Sequence, residues 1–366
     1  RSSAVHSVVT VHSRAVSSNS LFISLLVCFV VSYKGTTNRQ KPRPSGLRFS
    51  FFAYFCLMEY KEFGAWLQAE LGCKAQKISV DAGFSCPNRD GTVGFGGCTF
   101  CDNRTFNPAY CRQGGTIAQQ LEAGKRFFAR KYPTLKYLAY FQSYTNTHGS
   151  LPRLKALYEE ALRVPDVVGL VIGTRPDCMP APLLDYLEEL NRRTFLLVEY
   201  GVESASEETL RRVNRGHTFA QAQETIRSTA ARGIRVGAHM ILGFPWESHA
   251  DLMQQARLVA SLPLTTLKLH QLQVIRGTAL AREYEAAPWP MPTAEEYVSL
   301  VLEYISHLPR SLVLERFVSQ SPPELVIAPR WGLKNHEFAD LVKRKAAAMN
   351  RTTADSGILD SRLKIR

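Results

Sequence analysis

This 366-residue chain lacks the marks of several large protein classes. The apolar run Leu21 to Tyr33 counts 13 residues, where a helical membrane span needs about 20. No membrane association is expected from it. Cysteine is scarce, with eight in all, so a disulfide scaffold is excluded for a chain of this size. No internal repeat is present, and no glycine-rich dinucleotide turn follows the first candidate strand, which argues against a doubly wound nucleotide fold. An excess of charge is also missing from the body of the chain. The formal net charge is +13, yet residues 1–57 carry seven basic residues and no acid, and residues 343–366 carry seven more against Asp355 and Asp360. The stretch between holds 31 basic and 30 acidic residues. Charge alone therefore does not call for a polyanionic partner.

Residues 1–57 contain no methionine; the first is Met58. The Leu21–Tyr33 run has the length of a signal-peptide core, but no convincing small-residue cleavage site follows it. The expectation is translated upstream sequence, with the protein starting at Met58. A targeting or anchor segment is the alternative, and the region is left out of the fold reasoning.

From Met58 onward, short apolar runs alternate with amphipathic segments. The candidate strands are Lys77–Ala82, Tyr137–Gln142, Val167–Thr174, Phe195–Val202, Arg235–Phe244 and Thr265–Val274. Several are apolar at successive positions, as in Tyr137 to Phe141, which suits parallel strands covered on both faces. The helices between them have readable starts. Thr116 with Gln119 and Thr293 with Glu296 form capping boxes. Ser206 caps a segment with Glu207 and Glu208 in its first turn, Pro182 sits just inside a leucine-rich helix, and Gly233 ends the helix begun near Thr218. Six βα units in series predict an α/β fold, a partial (β/α)6 barrel of the TIM type, with chemistry at the C-terminal strand ends. The expected division is a segment 1–57, a core barrel 58–308, and a C-terminal extension with a basic tail, 309–366. That extension includes a further strand, Ser311–Val318.

Cys86, Cys98 and Cys101 follow the first strand, within Phe84-Ser85-Cys86-Pro87-Asn88-Arg89-Asp90-Gly91-Thr92 and Gly96-Gly97-Cys98-Thr99-Phe100-Cys101. Two thiolates two residues apart can hold one metal centre, and a glycine-rich loop returns the third to it. Cys111 lies ten positions further on, so the four cysteines alone leave a structural zinc site and an iron–sulfur site both open.

The position of the loop, after the first strand of a barrel-like series, resembles the radical S-adenosylmethionine (SAM) superfamily. Within it, the chain resembles the YhcC-like family, in the branch with the elongator-like and MiaB-like enzymes. The resemblance covers 58–342. Its markers are the two cysteine segments, Tyr140-Phe141-Gln142-Ser143-Tyr144-Thr145, Gly173-Thr174-Arg175-Pro176-Asp177-Cys178, Asn214-Arg215-Gly216-His217 and Leu269-His270. The cysteine spacing departs from the superfamily's commonest three-then-two arrangement, but long first gaps look usual for this branch. The resemblance implies a [4Fe–4S] cluster on Cys86, Cys98 and Cys101, SAM as second cofactor, and a 5′-deoxyadenosyl radical that abstracts a substrate hydrogen. It also implies a reductant such as flavodoxin or ferredoxin, a cytoplasmic setting, and, for the elongator-like branch, a tRNA wobble uridine as substrate. The basic tail could contact phosphates.

The resemblance assigns SAM contacts to Glu199 and Glu203 at the fourth strand end, with a pair of structural carboxylates as the alternative, and to Gln142 and Ser143 at the second, where the superfamily often has a glycine-rich turn. Gly243 at the fifth would let the backbone approach adenine closely, or simply form a strand-to-helix turn. Arg175, with Asp177 and Cys178, reads as a SAM-carboxylate or substrate contact, or equally as a buried Arg–Asp pair. His270 reads as an inward substrate contact or as hydrogen-bonded core. Arg215-Gly216-His217 reads as a helix connection, and Cys28, Cys56 and Cys73 support no role. The competing reading is a zinc-stabilised RNA-binding module on Cys86, Cys98, Cys101 and Cys111.

Overall fold

The computed structural model describes residues 60–355, apart from 109, 112, 113 and 130–133. The segment 1–57 and the tail residues Arg362, Lys364 and Arg366 lie outside the described residues. The expected capping-box starts are set by local hydrogen bonding. Gln119 N–H donates to the Thr116 hydroxyl and Thr116 N–H to the Gln119 amide oxygen. The box at Thr293 and Glu296, the Ser206 cap, the proline in the first turn at Ala181–Asn191 and a left-handed Gly233 are all present. Thr218 with Gln221 and Ser248 with Asp251 add two boxes not read from the sequence.

One eight-stranded sheet organises the chain. Its strands are β1 (Lys61–Glu62), β2 (Ala75–Val80), β3 (Lys136–Phe141), β4 (Val167–Thr174), β5 (Phe195–Glu203), β6 (Arg235–Leu242), β7 (Thr266–Gln271) and β9 (Val313–Arg316). Their spatial order is β1-β9-β7-β6-β5-β4-β3-β2, with every neighbouring pair parallel. The six expected units form the continuous run from β2 to β7. β9, within the segment 309–366, hydrogen-bonds with β7, and β1 extends the far edge. Parallel strands joined by helices curl in this way into a part-barrel. The run Thr265–Val274 is two strands rather than one. β8 (Val274–Ile275) leaves the sheet to form an antiparallel ribbon with β10 (Val326–Ala328), because pairing there offers the backbone a second partner.

Side-chain alternation sorts the strands into two faces. Ala139, Phe141, Leu170, Ile172, Leu196 and Val198 pack outward with residues of α2 (Ile117–Ala129), α3 (Leu151–Leu162) and α4 (Ala181–Asn191). Leu138, Tyr140, Val171, Phe195 and Leu197 point the other way and meet Phe63, Trp66 and Leu67 of α1 (Phe63–Leu71). Helix α1 therefore plugs the interior at the N-terminal ends of the strands. Chemistry is left to the opposite mouth. Among the described residues no helix is long and apolar enough to cross a membrane.

Candidate active site

A cavity open to solvent lies at that mouth. Cys86, Cys98 and Cys101 line it, together with Gln142, Arg175, Glu199, Glu203 and His270. Ser143 is buried without lining it, and Gly243, in the left-handed region at φ +100°, does not line it either.

The cysteine loop is built by tight local turns. Arg89 N–H donates to Cys86 O at 2.7 Å, Gly97 N–H to Asn88 O at 2.8 Å, and Cys101 N–H to Cys98 O at 3.0 Å. Gly96 and Gly97 both sit at φ +78°, a region that side-chain-bearing residues avoid. A Cβ at Gly97 would also stand 2.7 Å from Arg89 Nε. These two glycines return Cys98 to the site of Cys86.

The segment Asn214–His217, between α5 (Glu207–Arg212) and α6 (Phe219–Ala231), bolts this loop to the barrel. The Arg215 guanidinium is buried; Nη1 contacts Cys98 Sγ at 3.6 Å, and Nη2 donates to Gly201 O and lies 3.7 Å from Glu203 Oε1. Asn214 Nδ2 donates to Gly97 O at 2.9 Å, and Asn88 Nδ2 donates to Asn214 O. Arg175 gives a bidentate fork to Asp177, at 2.9 and 2.7 Å, and donates to Arg215 O at 2.7 Å. The Arg–Asp pair read from the sequence exists and is spent on this scaffold. Burial would raise the Asp177 carboxyl, but Arg175 holds it below the usual range. His217, hydrogen-bonded with Gly201 O and Thr218 O, is pushed down to about 3 by burial and by Arg215.

Burial and the neighbouring Cys98 and Cys86 thiols push Cys101 up to about 12, against the pull of Arg89. A thiolate at Cys101 therefore needs more positive charge than Arg89 supplies, and a cationic metal group would supply it. Among the described residues, no three His, Cys, Asp or Glu side chains are gathered tightly enough for one metal ion. Cysteine thiolates are the usual ligands of iron–sulfur clusters. The donor set fits an iron–sulfur cluster. Cys111 is turned away, donating to Ser79 O at 3.2 Å, and does not line the cavity. The four-cysteine zinc module is therefore not supported, because its fourth ligand is committed to the β2 backbone.

Glu203 sits at φ +73°, where the β5–β6 register slips between Gly201 and Glu203. A non-glycine residue held there signals a functional constraint. A Cβ on Gly201 would lie 2.5 Å from Glu203 Oε1 and 2.8 Å from Arg215 Nη2. Glu199 lies one layer deeper. Its carboxylate takes Lys77 at 2.7 Å, Lys268 at 2.6 Å and His239 Nε2 at 3.0 Å. Glu315 closes the belt, 2.7 Å from Lys77 and 3.1 Å from Lys268, whose ammonium also donates to Tyr140 at 3.0 Å. Lys77, Lys268, Glu315 and His239 were not singled out from the sequence, and Arg215 was read only as part of a helix connection. A charged residue inside a strand was the available signal for the first three.

Thiols, arginines and carboxylates brought to the C-terminal mouth of a parallel part-barrel define a barrel enzyme that works through a bound cofactor. The chain belongs to the radical SAM superfamily. The sequence profile of that superfamily matches residues 88–259, and that of the radical SAM C-terminal domain matches 264–348. Protein YtqA of Bacillus subtilis is 36% identical over 286 residues, covering 78% of this chain and 89% of its own. Protein YhcC of Escherichia coli is 37% identical over 270 residues, covering 74% and 86%. Among solved structures, the archaeal Methanocaldococcus infernus Elp3 superposes with a TM-score of 0.55 at 16% identity, over 75% of this chain and 63% of that one. That superposition supports the part-barrel fold.

Proposed function

We propose that this chain is a radical SAM enzyme in which Cys86, Cys98 and Cys101 hold a [4Fe–4S] cluster. The observation that carries the reading is the convergence of these three cysteines, and no other among the described residues, on the strand-mouth cavity beside Arg215 and Arg89. When bound, the cluster supplies the electron that cleaves SAM to a 5′-deoxyadenosyl radical. The protein's own part is to position and to exclude water. Arg215 and Asn214 fix the loop against β5, and Glu203 presents a mostly buried carboxylate to amino or hydroxyl groups of SAM. Gln142, whose amide oxygen accepts from Ser79 at 3.1 Å, faces the same space from β3. Cytoplasmic flavodoxin or ferredoxin serves as reductant. Anaerobically reconstituted protein should hold iron and sulfide and release 5′-deoxyadenosine. Alanine at any of the three cysteines should abolish this, and Cys111→Ala should keep most of the iron. Equal iron loss from Cys111→Ala and Cys98→Ala would overturn the ligand set.

The substrate we propose is a tRNA base, the wobble uridine, on the resemblance to the elongator-like branch. A base attacked by a radical must leave its stack and enter the mouth. Tyr144, at φ +61° and 41% exposed on the rim, offers it a face. Nucleoside profiles from cells lacking the protein test the idea, and an unchanged set of modified tRNA nucleosides would refute it.

A further inference from the structure

Among the described residues, one cation of the cavity has no counterpart. Arg89, Arg175, Arg215 and Lys268 all line the cavity and all donate to carboxylates or carbonyls. Arg316 also lines it. Among the described residues, no carboxylate, carbonyl or ring engages its guanidinium. A partly buried guanidinium in a protein ordinarily finds a planar acceptor.

The backbone puts it there by a specific device. The β7–β9 ladder pairs Leu267 with Leu314 and then Lys268 with Arg316. Glu315 is thus an extra residue in a bulge, and two successive side chains, Glu315 and Arg316, both reach the interior. Bulges re-aim side chains in this way. Glu315 is consumed by Lys77 and Lys268, so it does not neutralise its neighbour.

A second polar group is left open beside it. His270 Nδ1 hydrogen-bonds with the Ser319 hydroxyl, while Nε2 is buried without a partner. Ser319 is itself clamped to β7: its N–H donates to Gln271 Oε1 at 2.7 Å, and Gln271 Nε2 donates to Ser319 O at 3.2 Å. Burial and the nearby cations keep His270 neutral, so one tautomer presents Nε2–H as a donor. Arg316, His270 and Ser319 all line the cavity; Arg316 is on β9, His270 on β7 and Ser319 in the loop after β9, towards the opposite end of the sheet order from β2 and its cysteine loop.

We infer that Arg316 and His270 Nε2 form a subsite for an oxyanion of the substrate, a phosphate or a carboxylate, on the β7–β9 side of the cavity. The inference rests on the reading of the cavity as the substrate chamber. It adds a substrate class to that reading, since the molecule entering from this side must carry a negative oxygen group.

Calorimetric titration of the full chain at constant ionic strength tests it, with inorganic phosphate in one arm and acetate in the other. Tighter phosphate binding points to a nucleotide source and tighter acetate binding to a carboxylic acid. Arg316→Gln should weaken the preferred ion by at least roughly tenfold, or about 1.4 kcal/mol. Arg316→Lys, which keeps the charge without the fork, should fall between. Equal affinities in wild type and Arg316→Gln, or no binding of either ion to wild type, would overturn the subsite. SAM titration separates the two readings. If Arg316→Gln weakens SAM by the same factor, the residue serves the SAM carboxylate and the inference fails. A wild type that binds phosphate or acetate but never SAM would refute the radical SAM assignment of the cavity and leave the subsite standing.

Discussion

Removing the Glu199 carboxylate should destabilise the fold strongly, and removing Lys268 at the same time should restore much of the loss. The belt holds two cations, Lys77 and Lys268, and two anions, Glu199 and Glu315, with side chains 10%, 3%, 1% and 9% exposed. The four charges cancel. Glu199→Gln leaves two buried ammonium groups sharing Glu315. Breaking one partner out of a buried ion network costs about 3–5 kcal/mol, which corresponds to a loss of roughly 6–20 °C in Tm for a domain of this size. Lys268→Met leaves the opposite imbalance and should cost about as much. The double variant returns to neutrality, because Lys77 stays 2.7 Å from Glu315. Its loss should be smaller than the sum of the two by at least about 2 kcal/mol. The pH dependence carries a sign. Burial alone would raise the Glu199 carboxyl, but Lys268, Lys77 and His239 hold it well below the usual range. A depressed folded-state value means that the stabilisation is complete above the unfolded value of about 4.3. It fades only as pH falls below that. Wild type and Glu199→Gln should therefore stay separated above about pH 5 and converge in acid. Urea unfolding across this pH range, with all four proteins, is the assay. Additive single and double effects, or a Glu199→Gln protein that melts like wild type but binds SAM poorly, would refute the structural role and return Glu199 to the cofactor.

Arg215→Met should lower the iron content of reconstituted protein well below one cluster per chain, because the contact to Cys98 and the donor to Gly201 O both vanish. Losing this charge-assisted hydrogen bond adds about 1.5–3 kcal/mol of destabilisation, although His217 Nε2 still partners the Gly201 carbonyl at 3.3 Å; full iron loading in a folded variant would count against the bolt. Gly201→Ala should act on the site more than on the fold, since the atoms nearest its Cβ would be the side-chain ends of Glu203 and Arg215. SAM affinity should drop several-fold with Tm within about 2 °C of wild type, and an unchanged SAM titration would contradict the placement of Glu203.

Much of the barrel is legible in the chain because its strands are buried on both faces. β4 runs from Val167 to Thr174, the bounds read from its unbroken apolar run, and β3 and β5 lie within a residue of theirs. Capping boxes are equally legible, since both partners lie within one turn. Long-range pairing is not. Nothing local in Leu267–Ile275 says that the backbone stops pairing with β6 and takes up β10 instead. The two residues of β1 become a strand only through their parallel neighbour β9.

The same contrast divides the site. Cys98 and Cys101 are neighbours in sequence, so their joint chemistry shows in the spacing. Arg215 sits in a turn between two helices with no period to mark it, and it becomes functional only when the cysteine loop folds onto it. The belt is an intermediate case. Lys77 in AQKISV, Glu199 in FLLVEYGVE, Lys268 in TLKLHQ and Glu315 in VLER each place a charge within a strand of the sheet, beside other polar residues in most of them. A charge there must find an opposite one, because desolvating it alone costs several kcal/mol. Two of each sign predicts a self-neutralising layer, although not which residue meets which. That neutrality has a consequence for the mouth above. A balanced belt contributes little net field, so the charge that an incoming ligand meets is set by the arginines at the strand ends. Arg89, Arg175 and Arg215 are already committed to the cysteine loop and its supports. The field left over for the ligand is that of Arg316.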